Sequence, residues 1–294
     1  MRILVSGASG LVGDHLLAHL VREGHTVVAL SRAPDRHLWP RGVVAVAWDA
    51  QGPLPPVQAD AVVNLAGERV IGRRWSKAQV RRLRDSRLGP TLRLVEWARH
   101  AGARVLVSAS AAGYYGIRPE GPCPETRAPG EDVLARLCVD WEAAAHAFPG
   151  RVAVLRLGHV LSPLGGYLKE VLPYARLGLA GPIAGGRQPM PWVHAEDVAR
   201  AILWVLEGKA EGAYNAASPG SAGGTQREFA QALGRALRRP QLPVPGLALR
   251  LRYGAGAAPV LMGGQDLRPE RLQAHGFSFA HDGLEETLGG LLRR

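Results

Sequence analysis

Gly7, Gly10 and Gly13 are spaced to hold a phosphate. Arg2-Ile-Leu-Val-Ser6 reads as a short apolar strand that runs into Gly7-Ala-Ser-Gly10-Leu-Val-Gly13. A helical pattern follows, with Leu16, Leu17, Leu20 and Val21 on one side; Gly24 closes it, and Thr26-Val-Val-Ala-Leu30 reads as a second strand. In that setting Gly7 permits the tight turn, Gly10 lets backbone approach a pyrophosphate, and Gly13 lets helix and strand pack closely. Ser9 lies within the turn, and Leu11 and Val12 open a helix whose free N–H groups and partial positive charge suit phosphate oxygens. The pattern predicts the first βαβ unit of a dinucleotide-binding sheet. The plainer alternative is a glycine-rich turn with no ligand.

The end of the second strand bears on which dinucleotide. An acidic residue there would accept hydrogen bonds from ribose hydroxyls and repel a 2′-phosphate. This chain has Ser31 and Arg32, and a guanidinium is a planar, permanently charged phosphate donor. NADP(H) is therefore the expected cofactor, with Asp35 close enough to temper the preference if its loop folds back. A third charged feature is the run Arg69, Arg73, Arg74, Lys77, Arg81, Arg82, Arg84 and Arg87. It reads either as a recognition surface for a phosphorylated substrate or as a solvated basic face.

These residues need a scaffold. Val43–Ala47, Asp60–Leu65, Arg104–Ser108 and Val152–Arg156 read as further strands, and 131–147 as a helix. Ser76 and Gln79 form a candidate capping box for a helix to about Arg87, and Pro90 suits the first turn of another ending near Gly102. Alternation of strand and helix predicts an α/β fold, a Rossmann-type doubly wound parallel sheet covered on both faces. After Gly158 the texture changes, and residues 162–191 are rich in Gly and Pro. Val198–Leu206 returns to a helical pattern, Ala213–Ala216 reads as a late strand, and Thr225 with Glu228 caps another helix. The expected division is a Rossmann domain over 1–160, to which 192–218 return. Residues 161–191 and 219–294 would form a smaller, mostly helical C-terminal lobe on the substrate side.

Composition narrows the function classes. With 47% hydrophobic and 21% charged residues, the chain is of ordinary globular type. No stretch approaches the roughly 20 apolar residues of a membrane span, no secretory signal pattern opens the chain, and Cys123 and Cys138 are too isolated for a disulfide framework or metal site. A cytoplasmic protein with no membrane partner is the expectation. The net charge of +11 is carried almost wholly by arginine. Zinc-finger spacing, an RNA-binding aromatic motif and low-complexity tails are all missing, which argues against a nucleic-acid partner.

Several stretches carry a more specific resemblance: Asn64-Leu-Ala-Gly67, Arg73-Arg-Trp75, Ser86-Arg87, Ser108-Ala-Ser-Ala-Ala-Gly-Tyr-Tyr-Gly116, Trp141-Glu142, Leu155-Arg-Leu-Gly158, Trp192-Val-His194 with Asp197, and Gly264-Gln265. In order and over nearly the whole chain, they resemble the extended, epimerase-like short-chain dehydrogenase/reductases that carry an added C-terminal domain of unknown function. The resemblance implies NADP(H) binding and leaves the substrate open. It places Leu65, Ala66 and Gly67 over the cofactor, Arg87 on a Ser-Arg pair that helps hold it, and Arg156 and Leu157 beside the nicotinamide. His194 and Asp197 read more simply as a helix-start pair holding two lobes together.

The resemblance breaks at the chemistry. Such reductases use a Ser or Thr, a Tyr that exchanges a proton with the substrate oxygen, and a Lys four residues later. With Glu142 as anchor, the Tyr and Lys positions fall on Leu134 and Cys138, and neither can substitute. Ser110 is the best match for the serine, with Ala111 a competing alignment, and Tyr114 or Tyr115 is the candidate displaced acid. The expected function is an atypical NADP(H)-dependent reductase or epimerase-like oxidoreductase. Its substrate would be a small carbonyl or sugar-nucleotide-like molecule, anionic if the arginines read it. The alternative is a non-enzymatic NADP(H)-binding regulator or redox sensor.

Overall fold

The structure is a computed structural model that describes residues 1–71, 73–117, 120–208 and 210–293. In chain order the first half comprises β1 (Arg2–Ser6), α1 (Leu11–Arg22), β2 (Thr26–Ser31), β3 (Val43–Ala47), β4 (Ala61–Asn64), α2 (Lys77–Ala101), β5 (Val105–Ala111), β6 (Pro122–Cys123), α3 (Val133–His146) and β7 (Arg151–Leu157). The second half adds β8 (His159–Ser162), α4 (Gly166–Ala175), β9 (Trp192–His194), α5 (Ala195–Glu207), β10 (Gly212–Ala216), α6 (Gln226–Ala236), α7 (Gly246–Leu261), β11 (Asp266–Leu267), α8 (Glu270–Ala274) and α9 (Leu284–Leu292).

Seven of these strands form one parallel sheet in the order β10-β7-β5-β4-β1-β2-β3. Strand alternation divides the core. Ile3 and Val5 of β1 and Val63 of β4 pack with Leu16, Leu20 and Ile202 of α1 and α5. Leu4 and Val62 point the other way and pack with Leu94 and Val95 of α2. A strand buried on both faces must be apolar throughout, which is why these strands read as runs. The chain winds outward through β1, β2 and β3 and then returns to β4 on the other side of β1, so a switch point opens at the carboxyl ends of β1 and β4, where such sheets bind ligands.

One expectation is corrected. Pro90 does not begin a new helix; α2 runs unbroken from Lys77 to Ala101 with Pro90 inside it. A proline there costs about 3 kcal/mol of helix stability, yet Leu83, Pro90, Thr91, Leu94, Val95 and Ala98 form one buried stripe across it, and that packing holds the helix together. The cap at its start is also half of what the spacing suggested. The Ser76 hydroxyl accepts from the Gln79 N–H, but the Gln79 side chain donates to Glu68. By contrast, Thr225 and Glu228 form a reciprocal capping box on α6.

Segments 161–192 and 229–292 share a second core, in which Leu168, Leu172 and Trp192 meet Phe229, Leu233 and Leu288. Leu272 and Phe277 depart from this grouping and join the core of the main sheet. Near them, Asp197 accepts from the backbone N–H groups of Ala280 and His281 at 2.8 and 2.9 Å, tying the C-terminal segment to α5. His194 caps α5, its Nδ1 accepting from the Glu196 N–H at 3.1 Å.

Candidate active site

The glycine turn is built as its spacing requires. Gly7 has φ +69°, and a Cβ on it would stand 2.5 Å from the Leu65 carbonyl oxygen. A Cβ on Gly13 would stand 2.3 Å from the Ala8 oxygen. Gly10 opens α1 without a side-chain cap, so the N–H groups of Leu11, Val12 and Gly13 receive no acceptor from it. Ser9 and Gly10 are exposed, and Leu11 and Val12 half-buried. This cradle fits a dinucleotide phosphate pair, and only glycine lets the turn lie against the Leu65–Ala66 backbone.

At the end of β2, the buried Ser31 hydroxyl accepts from the Ala33 N–H at 3.2 Å and holds the turn. Arg32 is exposed, and its guanidinium has no partner among the described residues. Arg36, four residues on in a short 3-10 turn, is likewise exposed and unpaired; the sequence reading passed over it. At the end of β4, Gly67 is exposed and lies against Arg87, whose Cζ would be 3.3 Å from a Cβ there. Arg87 donates to the Leu83 and Glu68 carbonyls at 3.0 and 2.9 Å and faces the Trp141 ring at 5.3 Å. Burial lowers its pKa. Its donors hold the Leu65–Glu68 turn in place.

Beneath β5 and β7 lies a buried polar network that the sequence reading did not assemble. Arg156 donates through Nε and Nη2 to the two oxygens of Glu142 at 2.9 and 2.8 Å, and Ser110 donates to the same carboxylate at 2.7 Å. Arg156 Nη1 donates to the Tyr115 hydroxyl at 2.9 Å, which donates to Asn215 Oδ1 at 2.8 Å. Asn215 in turn donates to the Cys123 and Arg268 carbonyls, so the network joins α3, three sheet strands and the C-terminal segment. Burial alone disfavours the Arg156 charge, but Glu142 outweighs it and the pKa rises. Burial pushes Tyr115 up to about 12 despite Arg156 beside it.

The expected site residues differ in how far they are open. Tyr115 is 2% and Arg156 4% exposed. A group that meets a ligand from solution needs an open face, and theirs are closed inside the protein. In this arrangement Arg156 is paired within the protein to Glu142, and the Tyr115 hydroxyl is engaged by Arg156 and Asn215. Ser110, 3% exposed, is committed to Glu142 in the same way. Tyr114 differs: it is half-exposed, its hydroxyl has no partner among the described residues, and its ring covers Arg156 with 3.4 Å from Cζ to the centroid. Leu157 is half-buried at the end of β7.

Leu134 and Cys138 both face Gly113, where a Cβ would stand 3.3 Å from Leu134 Cβ and 3.7 Å from the Cys138 sulfur. Burial pushes the Cys138 thiol up to about 12, with the Glu142 charge adding to the shift. No thiolate or cation stands there at neutral pH.

The basic run is partly neutralised. Arg69 pairs with Glu170, Arg84 pairs with Asp140, and Arg74 donates to the Leu251 carbonyl. Arg73, ahead of α2, and Lys77 and Arg81 on it remain exposed without partners among the described residues.

Comparison with known proteins agrees with this architecture. Residues 3–217 match the model of the NAD dependent epimerase/dehydratase family, and residues 244–291 match a domain of unknown function, DUF1731. The epimerase family protein Mb2239 of Mycobacterium bovis is 38% identical, covering 98% of this chain and 96% of its own. The human epimerase family protein SDR39U1 is 35% identical over 98% of both chains. A crystal structure of the human protein (isoform 2) with NADPH superposes with a TM-score of 0.89 at 33% identity over the full length of both chains. The Thermus thermophilus UDP-glucose 4-epimerase in complex with NAD has a TM-score of 0.75 at 24% identity, covering 100% of this chain and 99% of that one, a likeness of fold.

Proposed function

Because this chain belongs to the NAD dependent epimerase/dehydratase family, we propose that it binds NADP(H) across the carboxyl ends of β4, β1 and β2 and works as an atypical oxidoreductase. Its substrate would be a small carbonyl or sugar-nucleotide-like molecule. Bound NADP(H) would supply or accept the hydride. The observation that carries the cofactor choice is Arg32, exposed and unpaired at the end of β2, with Arg36 beside the same turn and NADPH in the human relative's structure. The N–H groups of Leu11, Val12 and Gly13 hold the pyrophosphate, Leu65–Gly67 passes beneath the adenosine, and Arg87 fixes that turn. Leu157 offers an apolar wall at the end of β7.

Tyr114 is the residue best placed to exchange a proton with the substrate oxygen, because its hydroxyl is open while those of Ser110 and Tyr115 are committed. Orientation of the acceptor supplies much of the acceleration where the acid is weak. Arg73, Lys77 and Arg81, being unpaired, favour an anionic substrate. A second reading is a regulator that senses cofactor redox state, and it draws on Leu134 and Cys138 filling the usual Tyr and Lys positions. Fluorescence titration with NADPH and NADH, repeated on Arg32→Ala, tests the proposal. NADPH preference that falls about ten- to a hundredfold in the variant supports it, and equal affinity for both cofactors in the parent protein rejects it. A partner protein whose affinity differs between NADPH and NADP+, with no substrate turned over, would favour the regulator.

A further inference from the structure

Large apolar side chains gather on the outside of the C-terminal lobe. Tyr174, Leu177 and Leu179 at the end of α4 are 57%, 71% and 48% exposed, and Leu242, Leu247 and Leu251 are 62%, 68% and 67% exposed. The two groups abut. The Leu242 N–H donates to the Gly178 carbonyl, and the Gly181 N–H donates to the Leu242 carbonyl. The Leu242 segment then leads into α7, where Leu247 and Leu251 stand one turn apart on one face. Isolated exposed leucines are ordinary; a contiguous set calls for a partner.

The charge among this set is basic; the exposed Glu170, one turn before Tyr174, is paired with Arg69. Asp and Glu are missing from residues 171–195 and 229–265, while Arg176, Arg250 and Arg252 lie among the leucines and are exposed. A second copy of the chain would bring arginine against arginine. Protein–protein hot spots favour Trp and Tyr and under-use leucine, and here leucines outnumber the two aromatics, Tyr174 and the Tyr253 that Arg252 covers at 5.1 Å. Leucines standing proud among arginines instead suit a surface lying against a bilayer, the apolar side chains entering the headgroup boundary and the cations meeting anionic headgroups.

We propose that this face docks on an anionic lipid bilayer, with Leu247 and Leu251 entering the headgroup boundary and Arg250 and Arg252 meeting lipid phosphates. No helix of the described residues is long and apolar enough to cross a membrane, and lying on a surface needs no span. The docking does not draw on the nicotinamide chemistry.

Co-sedimentation of the full chain with phosphatidylcholine vesicles, and with vesicles that also contain phosphatidylglycerol, tests the docking. The protein is expected to partition to the anionic vesicles, and Leu247→Ser/Leu251→Ser to weaken this by about tenfold or more while NADPH affinity stays at the parent value. Arg250→Gln/Arg252→Gln is expected to weaken it too, most at low salt. Three results would each overturn the proposal: no partitioning, partitioning indifferent to the leucine substitutions, or lipid-free self-association abolished by those same substitutions, which would assign the face to a second copy.

Discussion

The internal role of Arg156 is open to a direct test through its partner. Glu142→Leu removes the carboxylate that accepts at 2.7, 2.8 and 2.9 Å from Ser110 and Arg156. The side chains of Arg156 and Glu142 are 5% and 8% exposed, so solvent cannot replace what is lost. Breaking one side of a buried ion pair costs about 3–5 kcal/mol, because the other charge stays buried and unpaired. The Tyr115 hydroxyl and the Tyr114 ring still face Arg156, which favours the lower end of that range. Chemical denaturation followed by circular dichroism reads the difference, and a thermal midpoint lowered by roughly 6 °C or more accompanies it.

The informative comparison is the double variant. Arg156→Met in the Glu142→Leu background removes the stranded cation, and an apolar pair of similar volume is often neutral or stabilising relative to the ion pair. The double variant is therefore expected to be more stable than Glu142→Leu alone, with a coupling energy of about 1–3 kcal/mol in the mutant cycle. NADPH affinity of the folded double variant should match the parent. A Glu142→Leu cost below about 1 kcal/mol, or NADPH affinity lost in a double variant of native-like stability, would refute the internal role and return Arg156 to the cofactor site.

Substituting Gly13→Ala drives a Cβ to within 2.3 Å of the Ala8 oxygen; calorimetric titration should find NADPH binding lost, and retained binding would mean the turn has room to spare. Tyr115→Phe should cost about 1–3 kcal/mol in denaturant melts, because Arg156 and Asn215 lose a buried partner, whereas Tyr114→Phe should stay within about 0.5 kcal/mol and lower turnover once a substrate is in hand. Burial, with His281 stacked at 3.8 Å, holds His194 down to about 4 from an ordinary 6.5. Between those values the unfolded chain binds a proton that the folded one refuses, so stability should fall as pH drops from about 6.5 towards 4. After solvent screening the loss is about 1–2 kcal/mol, and His194→Asn, which keeps a capping acceptor, should reduce the slope in melts across that range, the remainder coming from His159, which burial also holds down to about 4; an unchanged slope would place the titration elsewhere.

The sheet was legible because local and global signals agree there. Apolar runs of strand length, Gly24 and Gly102 at helix ends and Thr225 with Glu228 at a helix start each point to the element that forms. Pro90 misled because its local rule was overridden by a buried stripe contributed from other elements, and periodicity alone could have carried the helix through it. The network was hidden for a different reason. Tyr115 and Asn215 are 100 residues apart in sequence, and only the sheet order brings them together. Its members still left a mark: Arg156 interrupts an apolar strand, and Glu142 lies on the buried face of α3 among Leu134, Leu137, Cys138 and Trp141. A charge in each of two surfaces destined for the interior has to find a partner, and each is the other's.

That pairing also bears on the missing Tyr and Lys. Cys138 lies within electrostatic reach of Glu142 and Arg87, and Glu142 already accepts from Arg156 and Ser110. A lysine at this place would add a second buried cation beside Arg87 and compete with Arg156 for Glu142, and a buried charge without a full partner is disfavoured. Leu134 meanwhile lies against Gly113, where a Cβ would stand 3.3 Å from Leu134 Cβ. The substitutions at the two positions are thus consistent with one change in the interior: Glu142 serves Arg156, the neighbouring helix face is apolar, and the hydroxyl left open above it is that of Tyr114.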